Sequence, residues 1–316
     1  MTADGRAGGR APGRAEALAA RLRHALGLDQ PITPFKLIRD GLVVLGILAA
    51  ITYWWYLTSG GGLPVDVHAY WAADPNNLYV HGPGPADDAY LYAPSFEFVA
   101  GWWRGIPFEA YAAIWRAVLL VILVYLAGPF TLFAMLTVPV ASEINAANIQ
   151  IPLALAVVVG FRWPAAWAFI LLTKISPGVG LLWFAIRREW RALAIAIGVT
   201  VAIAAVSFVL MPRAWIEYLT LLTSHPAPAV APYYLPLWTR LPFAIAFVVF
   251  GALTDRRWAV VVGATIALPV YWITSSAMFV GVLPYVRQAL GRLVTRFTSR
   301  RAAATGDPSM TLDSGR

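Results

Sequence analysis

Apolar positions along this chain come in long runs separated by short polar or proline-bearing joints. They show neither the period of two of a half-buried strand nor the narrow stripe of a soluble helix. The first run covers 41–58 and closes on Tyr53, Trp54, Trp55 and Tyr56. Further runs fall near 93–104, 108–127, 129–141, 148–161, 164–186, 191–211, 240–254, 258–273 and 275–290. A helix of about 20 apolar residues crosses a bilayer, so the pattern predicts an all-α polytopic membrane protein with about ten transmembrane helices. Several runs are too short for that. They predict broken or re-entrant segments, which survive only when packed in protein or lining a cavity.

The polar stretches set the expected organisation. Residues 1–14 are mostly Gly, Ala, Arg and Pro and predict a disordered cytoplasmic tail. Residues 15–39 form a cytoplasmic amphipathic or juxtamembrane segment, with Leu18, Leu22 and Leu26 four apart in its helical part at 15–28. A membrane-embedded domain is expected over 40–290, with outer loops about 59–92 and 212–239, followed by a basic, disordered cytoplasmic tail over 291–316. No Lys or Arg stands between Arg39 and Arg104, whereas Asp66, Asp74, Asp87 and Asp88 do. Arginines gather at Arg187, Arg188 and Arg191, at Arg256 and Arg257, and from Arg287 to Arg301. By the bias of basic residues toward the cytoplasm, both termini are inside and the acidic loop faces out, at the plasma membrane.

Composition agrees with this reading and removes alternatives. Hydrophobic residues make up 59% of the 316 and charged residues 13%, against about 25% charged in a soluble domain. The formal net charge of +8 is explained by the inner arginine clusters, so no nucleic-acid partner is expected. Cysteine is absent from the sequence. No Walker loop, dinucleotide glycine motif, HExxH or Cys/His metal set occurs, so neither a metal nor a cofactor is expected.

An ionisable residue at membrane depth is costly and is by default a functional candidate. Asp66 follows Pro64, and on a helix it shares a face with Tyr70. It reads either as a helix cap or as a general base facing an outer pocket. Tyr90 and Tyr92, two apart, point to one side of an extended chain, as an interfacial belt or as a platform for a sugar or lipid head. Asn148 and Gln150, near Asn145 and Glu143, form either a plain connection or a cavity floor. Lys174 is the sole Lys of the apolar body, with Pro177 and Gly178 just after it. It snorkels, pairs with an acid or meets an anion. His225 and Arg240 flank the second outer loop, and Arg240 reads as a partner of Glu217 or of a lipid-linked phosphate.

In order along the chain, these elements resemble a known family. They are Asp66 with Tyr70, Leu78-Tyr79, Tyr90 to Pro94, Trp115, Asn148 with Gln150, Lys174 with Pro177, and the Arg187 to Arg191 loop. The set resembles glycosyltransferase family 87, a branch of the membrane-embedded GT-C superfamily, over about residues 40–290. The resemblance implies a GT-C-like helical bundle with extracytoplasmic loops. It implies an inverting hexosyltransferase that moves a sugar, mannose above all, from a polyprenyl-phosphate donor to a hydroxyl of a cell-envelope glycolipid or glycan. Asp66 is then the general base on the extracytoplasmic face. Tyr70, Tyr90, Tyr92, Asn148, Gln150, Lys174, His225 and Arg240 are the candidate substrate-binding residues. A transporter or permease for a small polar or lipid-linked substrate is the alternative that broken helices and an intramembrane Lys would also suit.

Overall fold

The computed structural model describes residues 33–62, 64–80, 89–224 and 235–305, and no strand occurs among them. The expected N-terminal tail and amphipathic helix, Asp87, Asp88 and His225 lie outside the described residues. The chain divides into two compact units, Met1–Gly41 and Leu42–Arg316. Of the first, the described part is the opening of helix α1 (Pro34–Tyr56), where the hydroxyl of Thr33 accepts the Lys36 N–H at 3.2 Å. Everything below concerns the second unit.

Apolar runs become membrane-capable helices where no proline or glycine interrupts them. α4 (Phe108–Ala127) coincides with its expected run, and it buries Leu119, Leu123 and Leu126 completely. Gly128 then takes φ +55° and admits a short turn before α5 (Thr131–Met135). By length and apolarity three stretches can cross a membrane among the described residues: Phe108–Met135, Trp190–Leu210 (α10) and Leu237–Thr254 (α12). A fourth is reached if the pair α6 (Val138–Ala146) and α7 (Gln150–Gly160), bent by 107°, counts as one broken span. Ten spans were expected from the runs, but most of the other runs fold as short helices. The run 164–186 breaks into α8 (Trp167–Thr173), a 3-10 stretch Ser176–Leu181 and α9 (Leu182–Ile186), with Lys174 in the break. The run 93–104 yields only a 3-10 turn at Pro94–Phe96 and the single turn α3 (Glu97–Ala100).

Two expected non-helical stretches differ. Within the second loop, 212–224 forms α11 (Pro212–Ser224), whose Trp215 indole donates to the Ser207 hydroxyl of α10 at 2.9 Å. Pro212 stands at the helix start, where its missing N–H costs nothing. The segment from 291, expected as a disordered tail, continues α14 (Leu283–Thr305). Its Ala, Leu and Arg content favours helix, which outweighs the charge that suggested disorder.

The tightest pairing is α12 with α13 (Arg257–Ile266). Asp255 reverses the chain in the left-handed region at φ 57°. A Cβ at Gly263 would stand 2.7 Å from the Ala244 carbonyl, so glycine lets the two helices close up.

Candidate active site

The site is built around the sharp joint between α6 and α7. Ala147 ends α6 in the left-handed region at φ 57°. The chain then turns back through Asn148 and Ile149, and the Glu143 carboxylate accepts the Gln150 N–H at 2.5 Å and also bonds the Ile151 backbone. A carboxylate from the preceding helix thus caps α7 and faces its positive end. α4 braces the same joint. The Trp115 indole donates to the Asn148 carbonyl at 3.2 Å, and Arg116 donates to the carbonyls of Leu57 and Asn145 at 3.0 and 2.9 Å. Gly62 has no side chain because the Arg116 guanidinium occupies that space.

Against this joint packs α2 (Val65–Ala72). Pro64, not Asp66, stands at its cap position, and no side chain caps it. The Asp66 carboxylate is therefore free of the capping role and hydrogen-bonds the Asn148 side chain instead. One turn on, the Tyr70 and Tyr92 hydroxyls hydrogen-bond each other at 3.0 Å, and each stands 3.3 Å from Asn148 Oδ1, to which the one not donating to its neighbour donates. The same oxygen accepts the Ile149 N–H at 2.8 Å. Asn148 thereby presents its amide N–H2 to Asp66 in a fixed orientation. Tyr70 is wedged between the rings of Tyr92, Phe96 and Trp115. Arg104 secures α2 from behind, donating to the Tyr70 carbonyl at 3.2 Å while paired with Glu97 at 2.6 Å.

Lys174 completes the group. It sits in the break between α8 and the 3-10 stretch, with extended backbone at φ −140°, and its ammonium acts electrostatically on both Asp66 and Glu143. Asp66 and Lys174 are each partly exposed, whereas Glu143 and Gln150 are fully buried. Glu143 Oε2 and both polar atoms of the Gln150 side chain lack a hydrogen-bond partner among the described residues. Buried polar atoms are nearly always paired in native proteins, so this is a place built to hold something polar. Burial pushes the Asp66 carboxyl up to about 6, against the opposing pull of Lys174 and the Asn148 hydrogen bond.

The expected residues thus separate. Asp66, Tyr70, Tyr92, Asn148 and Lys174 come together, and Gln150 sits beside them on α7. Tyr90 packs its ring edge-on against both Tyr92 and Tyr79, and its hydroxyl faces Glu97 rather than Asn148. Arg240 belongs to another network: its guanidinium donates to the carbonyls of Leu235, Ile266, Leu268 and Pro269 and lies 5.4 Å from the Tyr271 ring. The sequence marks Glu143 only as part of a polar cluster. The signal that would have singled it out is an acid lying between two apolar runs.

The sequence model of glycosyltransferase family 87 matches residues 90–305, about two-thirds of the chain. The chain belongs to glycosyltransferase family 87. No curated protein and no solved structure matches. A family 87 glycosyltransferase with apolar, membrane-capable helices is a membrane enzyme that joins a sugar donor to an acceptor, and membership favours an enzyme over the transporter alternative. The matched stretch contains Tyr92, Glu143, Asn148, Gln150 and Lys174. Asp66 precedes it, and the Tyr70–Tyr92–Asn148 contacts join the two.

Proposed function

We propose that this family 87 glycosyltransferase moves a sugar, mannose in the first instance, from a polyprenyl phosphate to a hydroxyl of a cell-envelope glycolipid or glycan. The reaction takes place on the extracytoplasmic face, and both termini are cytoplasmic. The observation that carries the reading is the convergence of one base and one cation on a polar, partly accessible spot. Asp66 takes the proton from the attacking acceptor hydroxyl, and Asn148 fixes the carboxylate's direction. The hydroxyl oxygen bonds to the anomeric carbon as the bond from that carbon to the phosphate oxygen breaks. The lipid phosphate departs with the bonding electrons, and attack opposite the leaving group inverts the centre. Charge grows on the phosphate as it leaves, and Lys174 is placed to stabilise it. Arg240 has no part, because its donors are engaged by backbone carbonyls.

A carboxyl raised to about 6 suits a base better than an ordinary Asp, since a stronger base accepts the proton more readily and is still ionised at neutral pH. A lipid-borne donor also suits the surroundings. An apolar cavity of about 170 Å³, lined by Trp103, Tyr111, Ile114, Trp115, Pro152 and Phe169, backs onto the site through Trp115. The test is incubation of the purified protein with radiolabelled polyprenyl-phosphate mannose and a cell-envelope lipid extract. Label should appear in a glycolipid or glycan fraction with inverted linkage. Transfer from a nucleotide sugar in place of the polyprenyl phosphate would overturn the donor assignment.

A further inference from the structure

The other end of α7 carries a second recess of a different character. It opens where Phe161 to Pro164 meet the start of α10, has a volume of about 490 Å³, and is lined by Arg162, Arg188, Arg191, Glu189, Trp190 and Ile195. An 11-residue helix places it about 16 Å along the axis from the Asn148 joint. The one acid there is engaged: Glu189 pairs with Arg187 at 2.9 Å, and Arg187 also reaches Asp255 at 3.2 Å. Arg162, Arg188 and Arg191 have no ion pair among the described residues. Arg162 is held over the Trp163 ring at 5.9 Å.

Arg188 adds an independent sign. It occupies the left-handed region at φ 58°, in the turn after α9 where the Glu189 N–H returns to the Phe184 carbonyl at 2.8 Å. Glycine takes that position at no steric cost, yet a long cationic side chain stands there. The rim is aromatic, with Trp163 62% and Trp190 60% exposed. Beyond it α10 presents Ile195, Ile197 and Val201 outward, and nearly all of this helix is left uncovered by the rest of the protein.

We propose that this recess binds the headgroup phosphate of an anionic phospholipid, whose acyl chains lie along the bare face of α10. Guanidinium forks match phosphate oxygens in pairs, exposed Trp side chains settle at the headgroup level, and the apolar helix face supplies the surface for the tails. Charge complementarity and the continuous run from cation to aromatic rim to apolar face favour a lipid over a free anion. The site is separate from the sugar site and does not depend on its chemistry.

The test uses the full chain purified in detergent, with dioleoyl phosphatidylglycerol and dioleoyl phosphatidylcholine as probes and retained lipid counted by native mass spectrometry. Each arginine should contribute about fivefold to phosphatidylglycerol retention, and the three together roughly a hundredfold. Accordingly R162Q/R188G/R191Q should lose phosphatidylglycerol adducts and keep the weak phosphatidylcholine background. R292Q/R296Q, which removes exposed arginines of α14, should retain them. R188G alone relaxes the backbone, so it should lower retention without lowering the unfolding midpoint, which separates binding from folding. Equal retention of both lipids, equal loss in the α14 variant, or full displacement of phosphatidylglycerol by excess inorganic phosphate would each overturn the proposal; the last would assign the recess to a free anion.

Discussion

The carboxylate of Glu143 accepts the backbone N–H of Gln150 across a 107° bend, so one acid both ends the turn and faces the cation of the proposed active site. Its two duties can be separated. In E143Q the amide oxygen still caps α7 but the acid beside Lys174 is gone. In E143A the cap is lost as well. The alanine variant should be less stable by about 1–2 kcal/mol, the range for a lost cap, and the glutamine variant should fall between it and the parent. Unfolding midpoints in detergent measure the difference. Equal midpoints for both variants would mean that the cap contributes nothing.

Asp66 is predicted to be dispensable for folding and required for transfer. D66N should lower the rate by about 10²–10⁴-fold, the usual contribution of a general base, as read by label transfer from the polyprenyl-phosphate sugar. Its stability should run the other way. Burial raises the folded-state pKa above the unfolded value of 3.8, to about 6. The favourable effect of protonation is complete below the unfolded value and is lost as pH rises through the folded one. At neutral pH the ionised Asp66 therefore costs stability, and D66N should unfold no earlier than the parent. A D66N protein that unfolds early and regains transfer when stabilised would remove the base assignment.

The same raised value sets the acid limb of the rate. With a base that must be ionised, kcat/KM should rise with pH through about 6 and level off above it. The Lys174 ammonium pulls the Asp66 value down against the effect of burial. Replacing Lys174 removes a charge that holds the Asp66 value down, so K174Q should move the limb to higher pH. A profile that is flat across this window would show that Asp66 does not titrate in the rate-determining step.

Lys174 and Arg240 look alike as phosphate partners in the sequence, but they sit in different networks, Lys174 beside Asp66 and Glu143 and Arg240 among backbone carbonyls. K174Q should cut transfer while leaving the unfolding midpoint near the parent's. R240A should leave four backbone carbonyls short of a donor and lower stability by about 2–5 kcal/mol, as loss of a buried charged partner does. Activity per folded molecule should change little. Measuring both midpoint and rate for each variant distinguishes them. A folded R240A that has lost transfer would return Arg240 to the site.

The apolar runs made the all-helical fold legible, and α4, α7, α10 and α12 lie close to where the runs placed them. The number of spans was less legible. A run such as 164–186 has the length of a span, but Pro164, Pro177 and Gly178 break it around Lys174. Composition registers how apolar a run is and not where it turns. Asp66, Tyr70, Tyr92, Asn148 and Lys174 could be read individually, because polar groups in an apolar chain are conspicuous. Their convergence could not. It depends on the left-handed Ala147 and on braces from Trp115 and Arg116 that link residues 29 to 59 positions apart. Arg240 misled for the same reason, since three of the four carbonyls that engage its donors come from a turn 26 to 29 residues further along.

Tyr70 and Tyr92 touch through their hydroxyls, and the boundary of the family match passes between them. A fragment beginning at the matched stretch would therefore inherit Lys174 and Asn148 and leave Asp66, the proposed base, behind. Adding the missing piece in trans could restore turnover only if the Tyr70 and Asp66 bonds to Asn148 and the Arg104 and Arg116 braces re-form with the ring packing around them, which makes this seam a stringent place to split the enzyme into two complementing halves.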